Sequence, residues 1–244
     1  CNANYRKVIS LSNGTYLFTM ASDNYLDKNC LNKLYSFSLD HNRLPFVSAQ
    51  TERVVLDENM EVVKYFNDIK HNIYINENLL EKKSQIIKSQ FLIEQMLIRK
   101  KPFQMVSFFE SLINTDYLKN NEIPLPASFG WQGMEYPLTL NTLLHTPIVG
   151  YIDEILIYGI YNDEYFDNTV RPIDRYIPYE KVVNLEKYYY DNRNQLTYLG
   201  LNPIKIELAF IKKYLLFITT IDKYLFLAFQ RLIVNVLTFI SSLL

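Results

Sequence analysis

The alternation of apolar and polar positions is most decisive in residues 203–244. The segment PIKIELAFIKKYLLFITTIDKYLFLAFQRLIVNVLTFISSLL contains no Gly, and no Pro after its first residue. A helical step of about 100° brings Lys205, Lys212, Lys223, Gln230 and Ser241 within about 20° of one another. Lys213, Thr220, Arg231, Asn235, Thr238 and Ser242 widen this polar strip, and Leu, Ile, Phe, Val and Tyr fill nearly all the rest. The pattern predicts one long helix whose free faces are too apolar for a water-solvated monomer, so lipid or protein must surround it. It can lie in a membrane interface with the cations toward headgroups, be buried against other subunits, or span as Tyr224–Leu244. An arginine near a helix centre costs about 2.5–3.5 kcal/mol on insertion, which favours the first two.

Upstream, YRKVISL and TYLFTM flank Ser12-Asn13-Gly14 and read as two short strands joined by a hairpin turn. Asp23 can cap a helix running to about Asp40, with Leu26, Cys30, Leu31, Leu34 and Phe37 on one side. Pro45 breaks it, because it disfavours helix at Leu44. Residues 51–75 fit a strand pair about as well as a helix. A helix is expected from Asn76 to about Arg99, with Leu79, Ile86 and Ile93 on one line and Leu80, Ile87 and Ile98 on a second. Two lines suit packing on two sides, and an ordinary helix in a local bundle is the other reading. Pro102 ends it, and a second helix from Phe103 to about Leu118 folds back as a helical hairpin.

Residues 119–147 read as irregular, with Pro124, Pro126, Gly130, Gly133, Pro137 and Pro147. Trp131, the only tryptophan, is an anchor for a partner's pocket or a cap over the chain's own core. Residues 151–161 read as strand, and a short helix follows near Glu180. The expected fold is α+β and mainly helical. A mixed α+β body occupies 1–121, with its helical hairpin at 76–118. An irregular acidic segment with short strands follows at 122–202, then a membrane- or subunit-associated amphipathic helical tail at 203–244.

Charge sharpens this division. Residues 1–121 carry 15 basic and 13 acidic side chains (+2), residues 122–191 carry 4 and 11 (−7), and residues 192–244 carry 6 and 2 (+4), summing to the net −1 of the chain. An acidic middle and a basic apolar end suit an aqueous domain tethered to a surface. A nucleic-acid binder would concentrate basic residues on one face, so no nucleic-acid partner is expected. Only six Gly occur, against 20 Tyr and 15 Phe. With abundant Ile, Asn and Lys, this points to an AT-rich genome such as an organelle's, a mollicute's or a low-GC bacterium's.

Candidate chemistry is sparse. His41, His71 and His145 are isolated, so no metal site is expected. Gly130 and Gly133 lack the Lys-Ser/Thr of a phosphate loop, and there is no G-x-S-x-G elbow. Cys30 reads as a small buried hydrophobe rather than a nucleophile. Asp153-Glu154 and Asp163-Glu164 flank a strand, where acids are usually solvated. With only Cys1 and Cys30, no disulfide framework exists. Tyr188, Tyr189 and Tyr190 read as interface packing.

The expectation is therefore a non-catalytic accessory subunit of a large membrane-associated assembly, of the mitochondrial respiratory or ATP-synthase type. It would have no cofactor, and its partners would be other subunits and inner-membrane lipid. Lys205, Lys212, Lys213, Lys223, Arg231 and Trp131 are the expected contact residues. Two alternatives stand beside it: a bacterial envelope lipoprotein anchored through a lipidated Cys1, and a membrane-anchored enzyme without an identified active site.

Overall fold

The computed structural model describes residues 2–20, 24–57, 62–66, 83–99, 108–120, 135–160, 179–220 and 225–243. Its centre is a parallel strand pair, β3 (Phe46–Leu56) with β7 (Ile148–Ile160). Around them stand β1 (Tyr16–Phe18), β2 (Asn24–Leu26), β4 (Val62–Phe66), β5 (Gln85–Lys88) and β6 (Ser111–Asn114). The strand order is β1-β6-β3-β7-β2, with β4 on the far half of β3 and β5 on the near half of β7. Every pairing other than β3–β7 is antiparallel. The register of β3 on β7 slips on both sides of Gln50. The result is a mixed α/β fold on one curled sheet.

Parallel neighbours need a long crossover, so both sheet faces acquire helices. One face carries α2 (Cys30–Asp40), after α1 (Asn2–Leu11) in the chain. Cys30 and Leu34 are buried there against Val47, Ala49, Leu112, Ile152 and Ile157. Gly150 has no room for a side chain: a Cβ would lie 2.9 Å from both Phe37 and Leu44. Its lack of one lets Phe37 approach the sheet. The other face carries α3 (Ser89–Ile98), α4 (Thr115–Asn120), α5 (Glu135–His145), α6 (Tyr179–Asp191), α7 (Arg193–Tyr198) and α8 (Pro203–Thr220) around the larger core. Phe46, Leu92, Ile93, Leu97, Ile113, Leu138, Val149, Leu185 and Phe210 belong to that one cluster. The last helix, α9 (Leu225–Leu243), packs on α8.

The path into α8 is set by local chemistry. Gly200 (φ 86°) follows α7 in the left-handed region; its N–H bonds to Thr197 and that of Leu201 to Leu196, closing the helix end. Asn202 then accepts the Lys205 N–H at 3.2 Å, and Pro203 starts α8 where its missing N–H costs nothing.

Several expectations change. Residues 2–11 are helical, and β1 pairs with β6 instead of folding back as a hairpin. The Cys30–Asp40 helix starts later than Asp23, because Asn24–Leu26 is drawn into the sheet. The ambiguous 51–75 region contributes the β3–β4 strand pair. Of the helix expected over 76–99, residues 76–82 lie outside the described part, 85–88 are strand and 89–98 are helix. The second arm of the helical hairpin is instead a 3-10 turn (Phe108–Glu110), β6 and α4. Helix α5 occupies part of the expected irregular stretch, with Pro137 tolerated in its first turn. The 151–161 strand and the helix near Glu180 are present. The single tail helix is two helices, and α8 is folded into the body against α3 and α6. Among the described residues no helix is long and apolar enough to cross a membrane.

Ile86 and Ile87 test the strand assignment. Ile87 is 4% exposed and Ile86 is 44% exposed, on opposite sides of β5. Ile87→Asp is expected to cost about 3 kcal/mol or more, and Ile86→Asp about 1 kcal/mol. Urea unfolding midpoints measure the difference; equal, severe losses would restore the helix packed on two sides.

Candidate functional site

Ligands of open α/β sheets collect beyond the carboxyl ends of parallel strands. Here that end holds the far halves of β3 and β7 with β2 alongside. One carboxylate organises it. Glu110 accepts the Asn24 side-chain amide at 2.7 Å on one oxygen and the Thr51 hydroxyl at 3.0 Å on the other. The Thr19 hydroxyl donates to the Phe108 carbonyl at 3.0 Å, and the Phe108 N–H donates to Thr139 at 3.1 Å. The turn entering β6 is thereby tied to β2, β3 and α5. Thr51 follows the register slip at Gln50, and such irregularities re-aim side chains near sites. Charge-assisted bonds hold the carboxylate in place, and its remaining lone pairs can accept ligand hydroxyls. Among the described residues no group of three His, Cys, Asp or Glu could hold a metal ion. Asp23, next to Asn24 in sequence, lies outside the described residues.

A second polar cluster sits between the helices. Glu186 of α6 is 2% exposed and accepts the Tyr214 hydroxyl at 2.7 Å, the Asn235 amide and Arg231 at 3.3 Å. Glu207 of α8 is fully buried and accepts Arg193 at 2.8 Å and the Tyr189 hydroxyl at 3.1 Å. The Tyr190 hydroxyl donates to Asn235 at 3.1 Å. Each buried carboxylate is thus met by an arginine and by neutral donors, as burial of charge requires. Burial first, then Glu186 and Glu207, pushes the Tyr190 hydroxyl up to about 12.

The expected contact residues fall apart in space. Lys205 pairs with Glu94 at 2.8 Å, and Arg231 with Glu186. Lys213 is buried; it donates to the Leu97 carbonyl at the end of α3 and stands 4.9 Å above the Phe210 ring. Lys212 is exposed. Lys223, Trp131 and Cys1 lie outside the described residues. Cys30 is the buried hydrophobe expected, its thiol pushed up to about 11 by burial and then by Asp27. Of the strand-flanking acids, Glu154 pairs with Lys33, and Asp163-Glu164 lies outside the described residues. No spacing motif announces Glu110, whose partners lie 59 and 86 residues away.

No known family matches this chain, and no curated protein matches it. Solved structures do. A crystal structure of S. aureus TarS 1-349 in complex with UDP-GlcNAc shares 12% identity at a TM-score of 0.50, over 88% of this chain and 52% of that one. Another crystal structure of S. aureus TarS shares 11% identity at a TM-score of 0.52, over 91% of this chain and 32% of that one. The chain thus spans about half and a third of those proteins, and at such identity the likeness is one of fold. It corrects the functional expectation. A fold shared with a protein crystallised with UDP-GlcNAc overturns the expectation of a non-catalytic accessory subunit of a respiratory or ATP-synthase assembly, and with it the expectation of no enzyme.

Burial lowers the Lys213 ammonium from 10.5 to about 7. Between these values the unfolded chain binds more protons than the folded one, so stability rises with pH across that window and the gain is lost as pH falls through about 7. Lys213→Met should flatten this slope; urea unfolding at pH 6.5, 8 and 9.5 measures it. A slope unchanged in the variant would place the titration elsewhere.

Proposed function

We propose that this chain is the core of a glycosyltransferase that uses a nucleotide-sugar donor of the UDP-N-acetylglucosamine class. The observation carrying this reading is the fold likeness over 88% of the chain to a protein crystallised with UDP-GlcNAc. The Glu110 cluster supports it by placing hydrogen-bonding groups where a parallel pair of this kind receives ligands. In the reaction the bond between the sugar C1 and the diphosphate oxygen breaks, and UDP leaves with the electron pair. An acceptor hydroxyl oxygen bonds to C1, and its proton passes to a base. Glu110 already holds a donor on each oxygen, so its role is to position β2 and β3 and to accept donor hydroxyls rather than to take the proton.

Titration calorimetry of the full chain with UDP-GlcNAc tests this. Saturable binding is expected, about tenfold weaker in Glu110→Ala, since hydrogen bonds to a charged group are worth about 1.5–3 kcal/mol. Glu110→Gln, which keeps the shape, should lose less. No binding of UDP-GlcNAc or UDP to folded wild-type protein would end the proposal.

A further inference from the structure

The outer side of α9 carries an ordered apolar line. Phe229, Ile233, Val236 and Ile240 follow one another at spacings of four, three and four, the repeat of a helix that seats against another helix. They are 52%, 45%, 36% and 48% exposed, and Leu237 borders them at 62%. A step of about 100° per residue places all four between about 100° and 160° round the helix from Asn235. Asn235 is fully buried and bonded to Glu186 and Tyr190, and Arg231 reaches the same Glu186. Those bonds fix the roll of α9, so the line is held outward. With 19 residues, α9 is about 28 Å long.

Charge and symmetry decide what covers it. A helix resting on an anionic membrane carries lysines or arginines along its polar face beside the apolar one. Here the borders of the line are Leu237, Gln230 and Ser241 on one side and Leu232 on the other. Arg231, the one charged residue of α9, is turned toward Glu186. An uncharged line with uncharged borders does not repel its own copy, and this line is self-complementary. Two copies of α9 can lie antiparallel about a twofold axis level with the Val234–Asn235 peptide. Phe229 then meets Ile240 of the second copy and Ile233 meets its Val236, so four layers close with no residue left over. The body lies on the Asn235 side, so the two bodies stand on opposite sides of the helix pair. The antiparallel direction also sets the helix dipoles head to tail. We propose that this chain forms a twofold-symmetric dimer through α9, each helix packed antiparallel on its copy. The pairing uses no residue of the Glu110 cluster, so it stands apart from the transfer reading.

Sedimentation equilibrium of the full chain between about 1 and 200 μM tests this, with a monomer–dimer Kd on the order of 10 μM expected for an interface of this small size. Ile233→Glu places a carboxylate against Val236 twice in each dimer and should weaken the pairing by about 100-fold or more. Val234→Glu, on the same helix but outside the line, should change it by about twofold or less. Circular dichroism should be the same for all three, since both positions are exposed in the monomer. Direction is read by cross-linking in a Cys1→Ser chain with a short bismaleimide. Phe229→Cys protein mixed with Ile240→Cys protein should link to each other in preference to themselves. A wild type monomeric at every concentration, or a dimer that survives Ile233→Glu, overturns the proposal, and so does preferential self-linking of Phe229→Cys. Flotation of a monomeric wild type on vesicles of phosphatidylcholine and phosphatidylglycerol, lost in Ile233→Glu, would assign the face to lipid and overturn it too.

Discussion

The parallel pairing of β3 with β7 is the constraint on which the rest of this structure depends. Two parallel strands cannot be joined by a turn, and some ninety residues separate the end of one from the start of the other. That stretch supplies β4, β5, β6 and helices α3 to α5, so closing the central pair forces much of the chain onto the sheet. The pair also creates a carboxyl end that antiparallel neighbours alone would not provide. β2 and the turn before β6 converge on it, and Glu110 bonds the convergence together.

A sheet covered on both faces needs helices able to bury one side each, and this chain meets that need in two ways. Against α2 the contact is mainly apolar, with one Ser38–Tyr16 hydrogen bond inside it and Gly150 giving Phe37 its clearance. On the opposite side α6, α8 and α9 meet around Glu186 and Glu207. A buried carboxylate is tolerated only where its donors are in place, so these acids convert a slippery helix contact into one with a defined position.

What was legible in the sequence was local. The Leu44-Pro45 break, the Tyr151–Ile160 strand, the helix near Glu180 and the helicity of residues 203–220 and 225–243 all follow from propensity and period. What was not legible depends on distant partners. Gln85–Lys88 carries two isoleucines that serve a helix line as well as a strand, and β7 decides between them. Ser111–Asn114 sits within a run that scans as helix, until β1 and β3 enclose it as the strand between them. Glu110 has phenylalanine on one side and serine on the other, a context without chemical signature. Its partners become visible only when the fold brings Asn24 and Thr51 beside it.

The end of the chain shows why an amphipathic pattern can be inverted. The narrow polar strip invites placement toward headgroups or water, yet Lys213 is 2% exposed and Asn235 is fully buried. Phe229, Ile233 and Leu237 are 52%, 45% and 62% exposed. Lys213 and Asn235 turn inward because their partners lie inside, while Lys212 and Gln230 stay exposed. Glu186 takes Asn235 and Arg231, Glu94 takes Lys205, and the end of α3 takes Lys213. Only one alignment of α9 on α8 and α6 satisfies Glu186. Turning α9 by one residue would carry Asn235 and Arg231 about 100° away from it. The cost of stripping a buried carboxylate of its partner, about 3–5 kcal/mol, exceeds what the displaced apolar contacts of one residue could return. The polar residues of an otherwise greasy tail therefore act as its registration marks, and the apolar majority, free to slide, follows where they are held.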